Sequence, residues 1–143
     1  MYGIDTSAAM LAEAGKRLGS RATLVIQDSE RLPEFAEPFD VIISSNVLHY
    51  IENPADWLGQ MHGLLKPGGL LILQDFSKSS RAVRYGTWLM RRIDRGFRQA
   101  YGLDEVKVLM VEVGFSVEKR NVFPIDWLWK GWLVRARPVA DQS

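Results

Sequence analysis

The sequence contains no cysteine, and this absence excludes several kinds of chemistry. A chain without cysteine forms no disulfide, offers no thiolate to a metal ion and has no cysteine nucleophile. Histidine is scarce as well, because only His49 and His62 occur, in different sequence contexts. Since a histidine-based metal site needs a cluster of ligands, we expect no metal site in this chain.

The sequence also lacks a large net charge and a long apolar run. Its formal net charge of +1 gives no overall attraction to nucleic acid or to a membrane. No stretch of about 18 apolar residues occurs, so no integral membrane segment is predicted. The N-terminus shows no secretory signal pattern, and we therefore expect a cytoplasmic protein. With 47% hydrophobic residues among 143, the chain suits a single globular domain or part of one.

Residues 39–76 predict a strand, a helix and a second strand. Residues 41–43 form an apolar run that is long enough for a strand and too short for a helix. Asn53 and Pro54 are typical of a helix start, and residues 66–69 are typical of a helix end. The helix between them carries one apolar stripe, formed by Trp57, Leu58, Met61, Leu64 and Leu65. Residues 70–73 form the second apolar run, so we expect a parallel sheet that is covered on both faces.

Shorter elements precede this unit. A strand is predicted to end at Asp5, and Ser7 is predicted to cap a helix over residues 8–18 that ends at Gly19. The buried face of that helix is predicted to contain Met10, Ala14 and Leu18. The next strand covers residues 23–26, and a loop with two prolines covers residues 32–38.

Three predicted strands end in polar residues, at Asp5, at Asp28 and at Asn46. In a doubly wound sheet, ligands bind at the carboxyl ends of the strands. The convergence therefore predicts a ligand site at this edge. Strands end in polar residues in many α/β proteins, however, so plain strand termination is the alternative interpretation.

Several motifs, in this order, resemble those of class I S-adenosylmethionine-dependent methyltransferases. Residues 3–7 with Met10-Leu11 resemble the second strand and following helix of that family, and Gln27-Asp28 resembles the end of its third strand. Three further motifs resemble the middle of the sequence pattern of that family: Phe39-Asp40-Val41-Ile42, Asn46-Val47-Leu48-His49 and Leu64-Leu65-Lys66-Pro67-Gly68-Gly69. The resemblance implies an α/β fold with a Rossmann-like, doubly wound sheet, mostly parallel with an antiparallel C-terminal strand.

The same resemblance implies S-adenosylmethionine as the cofactor and assigns roles to individual residues. It implies that Asp5 binds the ribose hydroxyls and Asp28 the adenine amine, with Thr6 and Ser29 as neighbouring contacts. These roles fit the chemistry, because a carboxylate offers two acceptor oxygens to hydroxyl or amine donors. Asn46 offers both a donor and an acceptor to the amino-acid end of the cofactor.

One part of the family pattern is not found. The first strand and the glycine-rich turn of the family would precede Tyr2, so we expect the chain to be an N-terminally truncated portion of a longer enzyme. A homodimer that fills the gap in the sheet is the alternative.

Residues 77–102 form a basic segment with an apolar stripe, which predicts a helical insert. The basic residues are Lys78, Arg81, Arg84, Arg91, Arg92, Arg95 and Arg98. The apolar stripe contains Val83, Trp88, Leu89, Ile93 and Phe97. Three interpretations stay open: a solvated face, a lid over an anionic acceptor, or a contact with an anionic membrane surface. A nucleic-acid partner is not expected, because the segment lacks interleaved aromatic residues.

The C-terminal part predicts a helix over residues 103–112, a strand over residues 115–122, a loop over residues 123–126 and a last strand over residues 132–136. This order resembles the end of the family fold. Three tryptophans lie near the last strand: Trp127, Trp129 and Trp132. We expect them to cover the core or, alternatively, to form a wall of the acceptor pocket.

The resemblance predicts methyl transfer to a small-molecule acceptor. His49, just beyond a strand end, is the candidate catalytic base, with simple packing as its alternative role. His62 is expected to be structural. The rival functions are a non-catalytic homologue that binds a partner and a nicotinamide-dependent dehydrogenase on a similar sheet.

Overall fold

The computed structural model describes residues 1–28, 30–79, 92 and 96–139. They fall into two compact units, Met1–Glu34 and Phe35–Ser143. The elements in chain order are β1 (Tyr2–Asp5), α1 (Ala8–Leu18), β2 (Thr23–Ile26), β3 (Phe39–Ser45), α2 (Pro54–Leu64), β4 (Leu65–Phe76), α3 (Leu103–Glu112), β5 (Phe115–Pro124) and β6 (Lys130–Pro138).

The first unit is a small βαβ unit. β1 and β2 pair in parallel, with Asp5 opposite Ile26. The Ser7 hydroxyl accepts a hydrogen bond from the Met10 N–H at 3.3 Å and so caps α1, as predicted. The predicted buried face was wrong at Met10, which is exposed, whereas Leu11 is buried. The least exposed residues of α1 are Leu11, Ala14, Gly15 and Leu18, so the face is centred near Leu11, and Met10 lies about 100° from Leu11 around the helix axis.

The second unit is built on a four-stranded sheet with the order β3-β4-β6-β5. β3, α2 and β4 form the predicted βαβ unit with parallel strands, and β6 is antiparallel to both β4 and β5. This arrangement confirms the α/β class and the antiparallel C-terminal strand. The core of the unit includes Trp57, Leu58, Met61, Leu71, Leu73, Val106, Met110, Phe115, Trp132 and Val134.

The strands are longer than the sequence pattern predicted. β3 continues through Ser45, because backbone pairing with β4 does not depend on apolar side chains. α2 ends at Leu64. Leu65, which was predicted to lie in the stripe of the helix, and residues 66–69, which were predicted to end the helix, belong to β4. The C-terminal hairpin also extends through Phe123 and Pro124, two residues that were predicted to lie in a loop.

Two predictions of burial were wrong. β3 lies at the edge of its sheet, and Ile43 is 69% exposed, so the sheet is not covered on both faces there. Among the tryptophans, Trp132 is fully buried but Trp127 is 81% exposed. Trp127 lies in the turn between β5 and β6.

Most of the basic segment lies outside the described residues. The predictions of amphipathic helices, of a lid and of an anionic acceptor rest on residues 77–102, of which 77–79, 92 and 96–102 are described. Within the described part of the chain, no helix is long and apolar enough to cross a membrane.

Candidate functional site

The candidate site is built where β3 ends. The Asn46 N–H donates to the Gln74 carbonyl at 3.0 Å and extends the pairing of β3 with β4 by one residue. Asn46 then has a φ of 58°, in the left-handed region that asparagine tolerates better than most residues. This residue turns the chain into the short 3₁₀ helix Leu48–Tyr50, which carries His49 back to the end of β4.

His49 and Asp75 form a buried pair at this point. The His49 Nδ1 atom lies 2.6 Å from Asp75 Oδ1, and the His49 backbone N–H donates to Asp75 Oδ2 at 3.1 Å. The two residues are 4% and 1% exposed. Because the backbone and the ring of His49 contact the same carboxylate, the position and the orientation of the imidazole are both fixed.

Three contacts converge on the Asp75 carboxylate. Asp75 Oδ1 accepts from the Phe76 N–H at 2.6 Å and contacts His49 Nδ1, and Oδ2 accepts from the His49 backbone N–H. The roles of the two ring nitrogens depend on the tautomer: the tautomer with its proton on Nδ1 donates to this carboxylate and has its lone pair on Nε2.

Aromatic rings surround the imidazole. The centroid of the His49 ring is 4.0 Å from that of Tyr50 and 5.7 Å from those of Phe76 and Phe97. Trp129 extends this cluster, since its ring is 5.2 Å from Phe76. The rings displace water from the histidine, and electrostatic interactions are stronger in such a site than in bulk solvent.

The predicted site residues of the first unit lie at the ends of its two paired strands. Asp5 ends β1, and its carboxylate accepts from the Ser7 N–H at 2.8 Å. Asp28 follows β2, and its carboxylate accepts from the Glu30 N–H at 3.0 Å. Since Asp5 pairs with Ile26, the parallel register brings the two aspartates to the same edge of this sheet. Thr6 is exposed next to Asp5, and Ser29 lies outside the described residues.

The second unit brings together Asn46, His49 and Asp75 at the ends of β3 and β4. Ser44, the second-last residue of β3, is 8% exposed, and its buried hydroxyl has no hydrogen-bond partner among the described residues. The ring of His62, for which a structural role was expected, packs edge-on against Phe115 with centroids 5.1 Å apart.

Asp75 is the residue that sequence reasoning missed as a partner of His49. The two residues are 26 positions apart, and only the parallel pairing of β3 with β4 brings them together. A signal was present in the sequence. In the predicted βαβ unit, His49 follows the first strand and Asp75 lies at the end of the second strand, and the ends of parallel strands meet at one edge of the sheet. No group of three or more His, Asp or Glu side chains suited to a metal ion occurs among the residues that the structure describes.

Comparison with known proteins agrees with this architecture. A family model described as a methyltransferase domain matches residues 1–120. The S-adenosylmethionine-dependent methyltransferase from Mesorhizobium loti has a similar fold, with a TM-score of 0.78 and 22% identity over 95% of this chain and 79% of that one.

Two curated relatives are similar in sequence. The ubiquinone biosynthesis O-methyltransferase of Ruegeria pomeroyi is 31% identical over 71% of this chain and 45% of its own length. The highly reducing polyketide synthase pspA of Penicillium soppii is 34% identical over 96% of this chain and 6% of its own length. The chain thus spans less than half of either relative. The family match over residues 1–120, together with the shared fold, shows that the chain belongs to the class I S-adenosylmethionine-dependent methyltransferases.

Proposed function

We propose that this protein transfers a methyl group from S-adenosylmethionine to an oxygen atom of a small-molecule acceptor, and that His49 removes the proton of that oxygen. The observation that carries the proposal is the buried contact of 2.6 Å between His49 Nδ1 and Asp75 Oδ1. Asp75 is a positioning residue in this scheme, because it acts on the acceptor only through His49.

The residues at the strand ends fit the cofactor of the family. Asp5 and Asp28 offer carboxylate oxygens, which suit the ribose hydroxyls and the adenine amine, with Thr6 and Ser29 as neighbouring contacts. Asn46 suits the amino-acid end, because its amide can both donate and accept. When bound, S-adenosylmethionine supplies an electrophilic methyl group, so the protein contributes mainly proximity and orientation.

His49 is suited to take a proton from an acceptor. Because Nδ1 contacts Asp75 Oδ1, Nε2 is the ring nitrogen that accepts the proton of the acceptor in this scheme. In this scheme the Asp75 carboxylate also stabilises the imidazolium that forms after the proton is taken. Because the histidine is only 4% exposed, we expect acceptor binding to move one of the aromatic rings around it.

The nature of the acceptor is supported by two facts. The relative from Ruegeria pomeroyi is named an O-methyltransferase, which favours oxygen as the methylated atom. A general base is needed only when the acceptor must lose a proton, as a phenol does and an unprotonated amine does not. A weakly acidic hydroxyl compound such as a phenol therefore matches both facts.

The test is the methylation of catechol by the His49→Asn variant. The asparagine amide reproduces the Nδ1 donor to Asp75 but offers no base, so the fold should be retained. We expect kcat to fall about 10² to 10⁴-fold, the usual contribution of a general base. The measurement is the rate of S-adenosylhomocysteine formation, with circular dichroism to verify folding.

A series of phenols separates a base from a packing role. If His49 is the base, the deficit of H49N should shrink for nitrophenols that are already ionised at the assay pH. A folded H49N protein with an unchanged kcat on catechol, or with the same deficit on every phenol, would contradict the proposal.

We also propose that a second copy of the chain pairs with β3. β3 is an edge strand of its sheet, and Val41 and Ile43 are exposed on it. An exposed, apolar edge strand is a ready site for strand addition, which favours the homodimer that the sequence analysis kept as an alternative.

A further inference from the structure

Residues 97–101, which we call the strap, lie against His49. The backbone carbonyl of His49 accepts two hydrogen bonds from the strap, from the Arg98 N–H at 2.9 Å and from the Gln99 N–H at 3.2 Å. Phe97 is buried, and its ring lies 5.7 Å from the imidazole. The strap thus contacts the histidine through its backbone and through its ring.

The strap is itself anchored at both ends. Phe97 and Ala100 form a buried apolar cluster, against which Trp129 packs. At the other end, the Tyr101 carbonyl accepts from the Lys78 N–H at 3.2 Å and from the Trp132 indole N–H at 3.1 Å. Trp132 belongs to β6 and is fully buried, so the sheet fixes the strap. Burial also raises the pKa of the Tyr101 hydroxyl, and the nearby Glu105 carboxylate adds to this effect.

His49 is consequently held from two sides. Asp75 holds His49 at its backbone N–H and at its ring, whereas the two strap hydrogen bonds hold the same residue at its backbone carbonyl.

We propose that the strap is a positioning element for the catalytic base, and that the Arg98 backbone N–H is its principal contact. This inference rests on the proposed function of His49. The Arg98 side chain is secondary: its ion pair with Glu52 at 3.3 Å is half exposed, and exposed ion pairs contribute little.

The test compares two substitutions of one residue. Arg98→Pro removes the side chain and the N–H donor, whereas Arg98→Ala removes the side chain only. We expect R98P to lower kcat for catechol about 10 to 100-fold, as a displaced catalytic group does, with an unchanged KM for S-adenosylmethionine. R98A keeps the backbone N–H donor, so its kcat should stay clearly above that of R98P.

Amide hydrogen exchange of the wild-type chain tests the strap without any substitution, in case the proline variant does not fold. The Arg98 and Gln99 amides should be protected to the same degree as amides of β4. Exchange as fast as in an exposed loop, or a folded R98P with the kcat of R98A or above it, would overturn the inference. An unchanged kcat in H49N would instead refute the proposed function, and the exchange measurement would still decide whether the strap holds His49.

Discussion

At the scale of single residues, Glu105 has an ionisation that the fold clearly alters. Its carboxylate accepts from Lys78 Nζ and from the Gly102 N–H, the latter at 2.7 Å, at the N-terminus of α3. These contacts, with the Lys78 hydrogen bond as the largest cause, lower the pKa of Glu105 below its ordinary value of 4.5. A lowered pKa in the folded state stabilises the fold at every pH above 4.5, and this stabilisation is lost as the pH falls through the lower folded-state pKa.

We therefore predict that Glu105→Gln destabilises the protein at pH 7 and that the difference from the wild type disappears in acid. The side chain is 44% exposed, so solvent screening limits the effect to about 0.5–1 kcal/mol of unfolding free energy. Urea unfolding at pH 7 and at pH 3 measures both values. Glu112→Gln, at the other end of α3, is the charge-matched control, and a difference as large at pH 3 as at pH 7 would contradict the explanation.

The candidate base shows what a sequence reveals at this scale. His49 could be identified from the sequence because it follows a strand end, where parallel sheets place their ligands. Whether it was a base or a packing residue could not be predicted, because its partner Asp75 is distant along the chain. The sequence also could not predict that Trp127 is exposed and Trp132 is buried. Both occur near the same hairpin, but Trp127 lies in its turn and Trp132 lies in strand β6.

At the scale of elements, helices were predicted better than strands. The bounds of α1 and α3 agree with the prediction because helix ends carry local signals, such as the Ser7 cap and the glycines at positions 19 and 114. Strand ends depend on the partner strand instead. β3 extends over Ser44 and Ser45 because its backbone pairs there with β4, and Leu65, at the start of β4, pairs with Phe39.

The edge of β3 leads to a prediction about assembly. If a second copy adds to this edge, Ile43→Lys should convert a dimer to a monomer, because a charge on an edge strand opposes strand addition. Ile43 is exposed, so the substitution should change the stability of the monomer by less than about 0.5 kcal/mol. Sedimentation equilibrium of the wild type and of the variant measures the conversion from dimer to monomer.

Val111→Lys is the matched control, because Val111 is an exposed apolar residue on α3. A wild-type chain that is monomeric at all concentrations tested, or an equal effect of the two lysine variants, would refute the role of β3.

At the scale of the whole molecule, the fold class was predictable because several weak motifs occur in one order at suitable spacing. The family match over residues 1–120 confirms that interpretation. The acceptor was not predictable, because methyl-transfer chemistry resides largely in the cofactor and leaves few demands on the protein. The predictions for the basic segment also stay untested, since most of residues 77–102 lie outside the described part of the chain.

The central claim is that this chain uses S-adenosylmethionine, and calorimetric titration with S-adenosylhomocysteine tests it most directly. We predict binding of one molecule per chain. Asp5→Asn should weaken it about 10 to 100-fold, because hydrogen bonds to a charged group contribute about 1.5–3 kcal/mol. Glu13→Gln, which removes an exposed charge from α1, should bind as the wild type does. A folded chain that releases no heat, or an Asp5→Asn variant with unchanged affinity, would contradict the account.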